Sequence, residues 1–225
     1  MRRGFFCYYK ISTVKKESLD MDNVDRFIFV RHGQTDLNAQ YVLQFHIDEP
    51  LNQKGREQAR QAASLLNKFK GTCLFISSPL KRAASTAQIM QDSWLEHLGE
   101  TAPHKPIANE DLKERFGGSL EGINHSKLKE LKAKHIPEGL EPWDNLHLIC
   151  PKVETSESVV KRMKKAILNG HARAQKQSST LVIIGHSSAF AAFTRNELGF
   201  ECITKNAMPY MVEKINGKWQ AQPFS

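Results

Sequence analysis

The sequence predicts an α/β fold: a three-layer sandwich in which a mostly parallel sheet, with an antiparallel edge strand, has helices on both faces. Three runs, at residues 27–30, 73–76 and 181–184, are continuously apolar, which is typical of strands buried on both faces of a parallel sheet. Helical patterns lie between and after these runs, and strands that alternate with helices indicate an α/β domain. A hairpin pattern near the end of the chain supplies the antiparallel edge.

Three helices are predicted by apolar residues at helical spacing. Their apolar faces comprise Ala59, Ala62, Ala63 and Leu66, then Leu80, Ala83, Ala84 and Ala87, then Val159, Met163, Ala166 and Ile167. For the second helix, we expect Ser78 as the N-cap and Pro79 at the first helical position. For the third, we expect Arg162 and the lysines beside it to form a solvated face. The hairpin is predicted by Asn216-Gly217, which separates two short strand patterns.

One domain over residues 25–225 accounts for most of the chain, because its length fits a single large domain. Residues 1–24 form an N-terminal extension that we expect to be poorly ordered. Its basic start is followed by an apolar stretch that ends at Lys10, shorter than the roughly 7–15 residues of a secretory signal core. Met21 is an alternative start of the protein. Residues 122–154 interrupt the alternation of strands and helices, and we interpret them as a mobile lid that sets substrate choice.

Composition and charge limit the function classes. With 40% hydrophobic and 25% charged residues, the chain has the composition of a globular protein. No apolar run approaches the roughly 18 residues of a membrane-spanning helix, and the net charge of +8 favours an anionic partner. We expect a phosphorylated small molecule, with a phosphoprotein as an alternative. The basic residues are dispersed and no nucleic-acid motif occurs, so we expect neither nucleic acid nor a membrane as a partner.

The four cysteines lie far apart in the sequence and form no Cys-x-x-Cys pair. Neither a zinc site nor a disulfide framework is therefore predicted. Reduced thiols of this kind are typical of a cytoplasmic protein.

Reactive residues follow each of the three predicted strands. The first strand leads to Arg31 and His32, the second to Arg82, and the third to His186 and Ser187. Ligands of open parallel sheets bind beyond the carboxyl ends of the strands, so these side chains should meet at one rim. Arg82 would lie in the first turn of its helix, where free backbone N–H groups favour an anion. We take Ser187 as a further substrate-binding candidate.

Two guanidinium groups and two imidazoles at one rim predict a site for a phosphoryl group. Arginine offers a planar fork of donors that matches phosphate oxygens, and it stays charged. A neutral imidazole is a nucleophile toward phosphorus, and nearby positive charge opposes its protonation by about 4 kcal/mol at ~4 Å and an effective dielectric constant of ~20. We expect the Gly33 carbonyl to bind the other ring nitrogen and fix the tautomer.

Several motifs, in their order along the chain, resemble the histidine phosphatase superfamily, which includes the cofactor-dependent phosphoglycerate mutases. The Arg-His-Gly-Gln-Thr motif at residues 31–35, with Asn38 after it, resembles the family signature. The other matching segments are residues 51–55, 58–59, 78–83, 86–87, 114–115, 121–122, 156–158 and 185–186. The resemblance covers about residues 25 to 215.

The resemblance implies a role for each candidate. His32 would attack phosphorus and become a phosphohistidine. Arg31, Arg82 and His186 would bind the phosphoryl oxygens and stabilise the charge of the transition state. Neither a metal nor a cofactor is implied, because the arginines supply the charge that Mg²⁺ supplies elsewhere.

Two more residues take roles by the same resemblance. Asn38 would support the phosphate pocket. Glu114 would be the general acid that protonates the leaving oxygen and then the base that activates water. For this role we expect its carboxyl group to be partly buried.

The resemblance leaves two enzyme classes open, and the sequence favours a phosphatase, a phosphomonoester hydrolase, over a phosphoglycerate mutase, an isomerase. The mutases carry a tyrosine three residues after the acid, where this chain has Gly117. They also carry paired arginines in their insert, whereas residues 123–154 contain none, although four lysines between residues 127 and 134 are alternative carboxylate ligands. A non-enzymatic module that binds phosphate or nucleic acid is a third hypothesis, based only on the positive charge. The motifs determine neither the substrate nor the oligomeric state.

Overall fold

A six-stranded sheet forms the middle layer of the computed structural model, which describes residues 21–69, 71–99 and 105–224. The strand order is β3-β2-β4-β1-β5-β6. The strands are β1 (Arg26–Arg31), β2 (Thr72–Ser77), β3 (Ile107–Ala108), β4 (Ser179–Gly185), β5 (Pro209–Ile215) and β6 (Lys218–Pro223). The three apolar runs predicted as strands form β1, β2 and β4.

The sheet is mostly parallel, as predicted. Strands β1, β2, β3 and β4 pair in parallel, and β5 is antiparallel to both of its neighbours. The outermost strand at that edge is β6, so the antiparallel strand is second from the edge. The turn between β5 and β6 has positive φ at Asn216 (50°) and Gly217 (76°), which is the geometry that an Asn-Gly hairpin turn favours.

The described part of the chain contains six α-helices, and the three predicted ones are among them. The helices are α1 (Asp36–Ala39), α2 (Gln53–Leu66), α3 (Lys81–His97), α4 (His125–His135), α5 (Ser156–Lys176) and α6 (Ser187–Phe193). The predicted apolar faces belong to α2, α3 and α5.

The core lies on both faces of the sheet, because successive side chains of a strand point to opposite faces. On one face, Ile28 and Val182 pack with α2 and α3. On the other face, Phe27 and Leu181 pack with α5 and α6. This explains why the strand sequences are continuously apolar, and it confirms the three-layer arrangement.

The predicted start of α3 is wrong by two residues. The helix begins at Lys81, with Leu80 at the N-cap position and no side-chain cap of its own. The Ser78 hydroxyl group contacts a histidine of the site described below, and Asp48 from a preceding loop accepts a hydrogen bond from the Lys81 N–H (2.7 Å). The helix terminus is therefore stabilised by a residue distant in sequence.

The segment predicted as a lid contains α4 and an irregular stretch with a short 3₁₀ turn at Leu146–Leu148. Its apolar side chains form a separate small cluster in which Leu128 and Leu146 pack with Leu43 and Phe45. Leu43 and Phe45 belong to the loop that follows α1. Residues 122–154, called the insert below, thus pack on a loop that leads away from β1.

The predictions for residues 1–20 lie outside the described residues. Within the described part of the extension, Met21 and Val24 are buried in the core. No helix in the described part of the chain has the length and the apolar character that a membrane span requires.

Candidate active site

Most of the predicted residues meet at the carboxyl ends of the parallel strands, where they line a cavity of about 310 Å³. Its lining includes six of the seven candidates, namely Arg31, His32, Asn38, Arg82, Glu114 and Ser187. Glu114 follows β3, a two-residue strand that the sequence patterns did not reveal. The cavity therefore receives residues from the ends of four parallel strands rather than three.

His32 is buried, and its ring orientation is fixed by the main chain. The Nδ1 atom lies 2.7 Å from the carbonyl oxygen of Gly33, as predicted. A carbonyl oxygen only accepts hydrogen bonds, so Nδ1 carries the proton and the lone pair is left on Nε2. Gly33 is itself held, because its N–H donates to the hydroxyl oxygen of Thr86 (3.0 Å).

The surroundings of His32 keep its imidazole neutral. Burial is the largest cause that lowers its pKa well below 6.5, followed by the positive charges of Arg82 and Arg31, while the bond to Gly33 acts in the opposite direction. The direction agrees with the prediction, but burial contributes more than the neighbouring charges on which that prediction was based.

His186 lies next to His32, and the two ring centroids are 5.2 Å apart. It is the one candidate that does not line the cavity, although it is buried beside it. Its Nε2 lies 2.8 Å from the hydroxyl oxygen of Ser78, and its Nδ1 is buried with no hydrogen-bond partner among the described residues. Burial, then Arg82 and His32, lowers the pKa of His186 well below 6.5.

Arg82 is almost fully buried and is anchored by two carbonyl groups. Its Nη1 donates to Ile47 and its Nη2 to Phe45, each at 2.7 Å. A guanidinium has five N–H donors, so three remain, and its Nε is buried with no partner among the described residues. Arg31 donates through Nη1 to the Thr204 carbonyl at 3.3 Å. Both guanidinium groups thus keep donors for an anion.

The Glu114 carboxylate is buried, as expected, at the first turn of α6. Its Oε1 accepts N–H bonds from Arg115 (2.8 Å) and Ala189 (2.7 Å), and its Oε2 accepts one from Ser188 (3.1 Å). Since each carboxylate oxygen has two lone pairs, Oε2 keeps one for a further partner.

The main chain at Glu114 is also braced. The Glu114 carbonyl oxygen lies 2.6 Å from His46 Nε2 and accepts from Arg162 Nη2 at 3.2 Å. Arg162 also forms an ion pair with Glu154 (2.7 Å). The prediction that Arg162 belongs to a solvated face is therefore wrong, because its side chain turns from α5 toward the Glu114 loop.

Asn38 is positioned by a residue that the motifs did not reveal. The Nδ2 of Asn206 donates to the His32 carbonyl (2.9 Å) and lies 3.4 Å from Asn38 Oδ1. No local pattern marks Asn206, which is 174 residues from His32 in the sequence.

Other residues complete the cavity. Sequence reasoning missed four lining residues, which come from the loop after α1, the insert and the helical turn after α6: Gln44, His125, Trp143 and Arg195. Arg195 is paired with Asp144 and Glu201, each at 2.9 Å. Arg195 does not directly follow a strand, so no sequence pattern marked it as a site residue.

Across the described residues, no cluster of three or more histidine, cysteine, aspartate or glutamate side chains is arranged to bind a metal ion. The cationic groups that face the cavity belong to arginines.

A family model and several known proteins match the chain. The family model "Histidine phosphatase superfamily (branch 1)" matches residues 27–210. The chain is 34% identical over 204 residues to "Uncharacterized phosphatase PhoE" of Bacillus subtilis, covering 87% of this chain and 92% of that protein. It is 30% identical over 151 residues to "Phosphoglycerate mutase-like protein 4" of Arabidopsis thaliana, covering 61% of this chain and only 63% of that protein.

Solved structures share the fold. A mycobacterial glucosyl-3-phosphoglycerate phosphatase in complex with VO₃ has a TM-score of 0.67 and 23% identity, and the alignment covers 89% of this chain and 98% of that one. A phosphoglycerate mutase from Bacillus anthracis has a TM-score of 0.71 and 22% identity, covering 88% and 92%. At such identities these two structures show the fold alone.

Proposed function

The chain belongs to the histidine phosphatase superfamily, branch 1, and from this premise we propose that it hydrolyses phosphomonoesters through a phosphohistidine on His32. The observation that carries the proposal is the 2.7 Å contact between His32 Nδ1 and the Gly33 carbonyl oxygen, which fixes the tautomer of the ring. The His32 Nδ1–H donates a hydrogen bond to the Gly33 carbonyl oxygen, which leaves a neutral Nε2 as the nucleophile in a cavity with two arginines.

In the first step, Nε2 of His32 attacks phosphorus as the ester P–O bond breaks. The remaining N–H groups of Arg31 and Arg82 bind the phosphoryl oxygens, whose charge is spread over them in the transition state. His186 and Asn38 support this pocket. A proton passes from Glu114 to the leaving oxygen, so an alcohol departs and a phosphohistidine remains.

In the second step, Glu114 takes a proton from water, and the water oxygen attacks phosphorus. The P–N bond breaks, and inorganic phosphate and neutral His32 are released. Oε2 is the oxygen of Glu114 suited to carry the proton, because Oε1 already accepts two N–H bonds and Oε2 accepts one. Ser187 lines the same cavity and is a further substrate contact.

The test is phosphate release from p-nitrophenyl phosphate and from an alkyl phosphate. We expect His32→Ala to abolish release from both, while His147→Ala, a change at an exposed histidine, leaves it intact. Glu114→Gln should slow the alkyl ester more than the aryl ester, because a poor leaving group depends more on the general acid. Unchanged turnover in His32→Ala would refute the mechanism.

A phosphoglycerate mutase is the second candidate, and the similarity to a mutase-like relative favours it. It predicts interconversion of phosphoglycerates stimulated by the bisphosphate, with little net phosphate release. Against it, Arg195, an arginine that lines the cavity, is held by Asp144 and Glu201. We therefore propose hydrolysis of a phosphorylated small molecule as the main reaction.

A further inference from the structure

Phe45 has a backbone conformation that is unusual for a buried aromatic residue. Its φ is 46°, in the left-handed region, which a bulky non-glycine residue rarely adopts. The residue is only 4% exposed, so this is not the strain of a loose surface turn. Residues held in such conformations cluster at functional sites.

The backbone conformation of Phe45 serves the phosphoryl site. Its carbonyl oxygen accepts from Nη2 of Arg82, while the carbonyl oxygen of Ile47 accepts from Nη1. Two carbonyls so close in sequence fix the plane of the guanidinium fork. This contact needs only the main chain, and a glycine at position 45 would preserve it.

The side chain of Phe45 is accommodated by Gly117. A Cβ atom at residue 117 would lie 2.3 Å from Cδ2 and 2.4 Å from Cγ of the Phe45 ring. The φ of Gly117 is −95°, which any residue adopts. Glycine is therefore required at this position by the ring of Phe45 rather than by its own backbone.

Phe45 lines the same cavity as His32, Arg82 and Glu114. Apolar side chains make up much of the remaining wall: Val42, Leu43, Phe45, Trp143, Ala191 and Ile203. Of the charged residues in this part of the lining, Arg195 and Glu201 are bonded to each other at 2.9 Å. His125, also in the wall, has its pKa lowered by burial and then by Arg31 and Lys132, which favours its neutral form.

We infer that Phe45, held in place against Gly117, determines substrate specificity by forming the wall that receives the leaving group. This inference rests on the proposed phosphatase function. The wall selects phosphomonoesters whose leaving group is uncharged and presents an aryl or alkyl surface. The wall disfavours leaving groups with a carboxylate, because Arg195, which could bind one, is already paired with Asp144 and Glu201.

The experiment compares phenyl phosphate with 3-phosphoglycerate in the wild type and in Phe45→Gly. The wild type should prefer phenyl phosphate in kcat/KM. In Phe45→Gly this preference should fall about tenfold or more, mainly through KM, because a hydrophobic pocket discriminates by such factors. Gly117→Ala should reduce the preference too, since the added methyl group displaces the ring.

Tyr41→Gly is the matched control, because Tyr41 also has a left-handed backbone (φ 58°) but is 71% exposed and lies outside the cavity lining. It should keep the wild-type preference. In the Phe45→Gly background, Gly117→Ala should have no further effect. A wild type that prefers 3-phosphoglycerate, or a preference unchanged in both Phe45→Gly and Gly117→Ala, would overturn the inference.

Calorimetry with two non-hydrolysable phosphonates separates this inference from the proposed function. Phenylphosphonate should bind the wild type about tenfold more tightly than methylphosphonate, and Phe45→Gly should remove that difference. If no ester is hydrolysed but the phosphonate difference follows Phe45, the proposed function fails and the subsite stands. Equal affinity for the two phosphonates in the wild type contradicts the subsite, whatever the turnover.

Discussion

At the scale of single residues, the buried histidines make the fold sensitive to mild acid. The pKa values of His32 and His186 are lowered well below 6.5 in the folded protein, chiefly by burial. Below pH 6.5 the unfolded chain therefore binds more protons than the folded one, and the free energy of unfolding falls as the pH falls. Above pH 6.5 this contribution is fully present.

We predict that the free energy of unfolding decreases between pH 6.5 and 5, by up to about 1.4 kcal/mol per pH unit for each of the two histidines. Urea titrations at several pH values measure the slope. His32→Asn and His186→Asn should each reduce it, whereas His147→Asn, at an exposed position, should not. Equal slopes in all three variants would contradict this explanation.

The residue scale also shows what local sequence can predict. The contact between His32 and the Gly33 carbonyl matches the prediction, and its two partners are adjacent in the sequence. Ser78 was misassigned, since its hydroxyl group is engaged by His186, which is 108 residues away. Asn206 escaped prediction for the same reason: its partners are distant in sequence.

At the scale of elements, the loop after β1 is pressed against the start of α2. A Cβ atom at Gly55 would lie 2.0 Å from the Gln34 carbonyl oxygen, and one at Gly33 would lie 2.3 Å from the Gly55 carbonyl oxygen. The loop that carries His32 therefore needs glycine on each side of the contact.

We predict that Gly55→Ala lowers the free energy of unfolding by about 1–3 kcal/mol, because backbone atoms must separate to admit the methyl group. Phosphatase activity should fall as well, since the loop carries His32. Thermal unfolding and phosphate release measure the two effects, with Ser64→Ala on the exposed face of α2 as the control. Wild-type stability in Gly55→Ala would show that this contact is unimportant.

The carboxylate of Asp144 ties the insert to Arg195, which lies in the helical turn after α6. Asp144 accepts from Arg195 Nη2 (2.9 Å) and Nε (3.1 Å), and it is also bonded to the Ser156 hydroxyl group. Burial tends to raise the pKa of Asp144, but the bonds from Arg195 and Ser156 outweigh it and lower that pKa. The carboxylate is therefore charged at neutral pH.

We predict that Asp144→Ala costs about 1–3 kcal/mol of stability, because a partly buried arginine loses its main partner. The amides of α4 should then exchange faster with deuterium, as expected if residues 122–154 act as a lid. Glu130→Ala, which removes the exposed Lys127–Glu130 pair, should leave the exchange unchanged. Similar exchange in the two variants would mean that Asp144 does not hold the insert.

The elements themselves were largely predictable, because β1, β2 and β4 are buried on both faces and α2, α3 and α5 are amphipathic. Strand β3 was not predictable, because a strand of two residues is too short to show an alternating pattern. The start of α3 was misplaced because Asp48 caps it from another loop. Periodicity reports burial, whereas tertiary contacts decide where an element begins.

At the scale of the whole molecule, the parallel sheet places residues from 31 to 188 around one cavity. The rule that ligands bind at the carboxyl ends of parallel strands was sufficient to predict that Arg31, His32, Arg82 and His186 come together. It could not predict Gln44, His125 or Trp143, which reach the cavity from loops and the insert. The reaction is therefore more predictable than the substrate.

The most direct test of the account is to trap the phosphoenzyme. The protein is mixed rapidly with p-nitrophenyl phosphate and quenched in alkaline denaturant, and its peptides are analysed by mass spectrometry. We predict phosphate on the peptide that contains His32, formed with the first turnover and lost as inorganic phosphate appears. Steady turnover with no phosphate on His32, or with phosphate on another residue, would contradict the central claim.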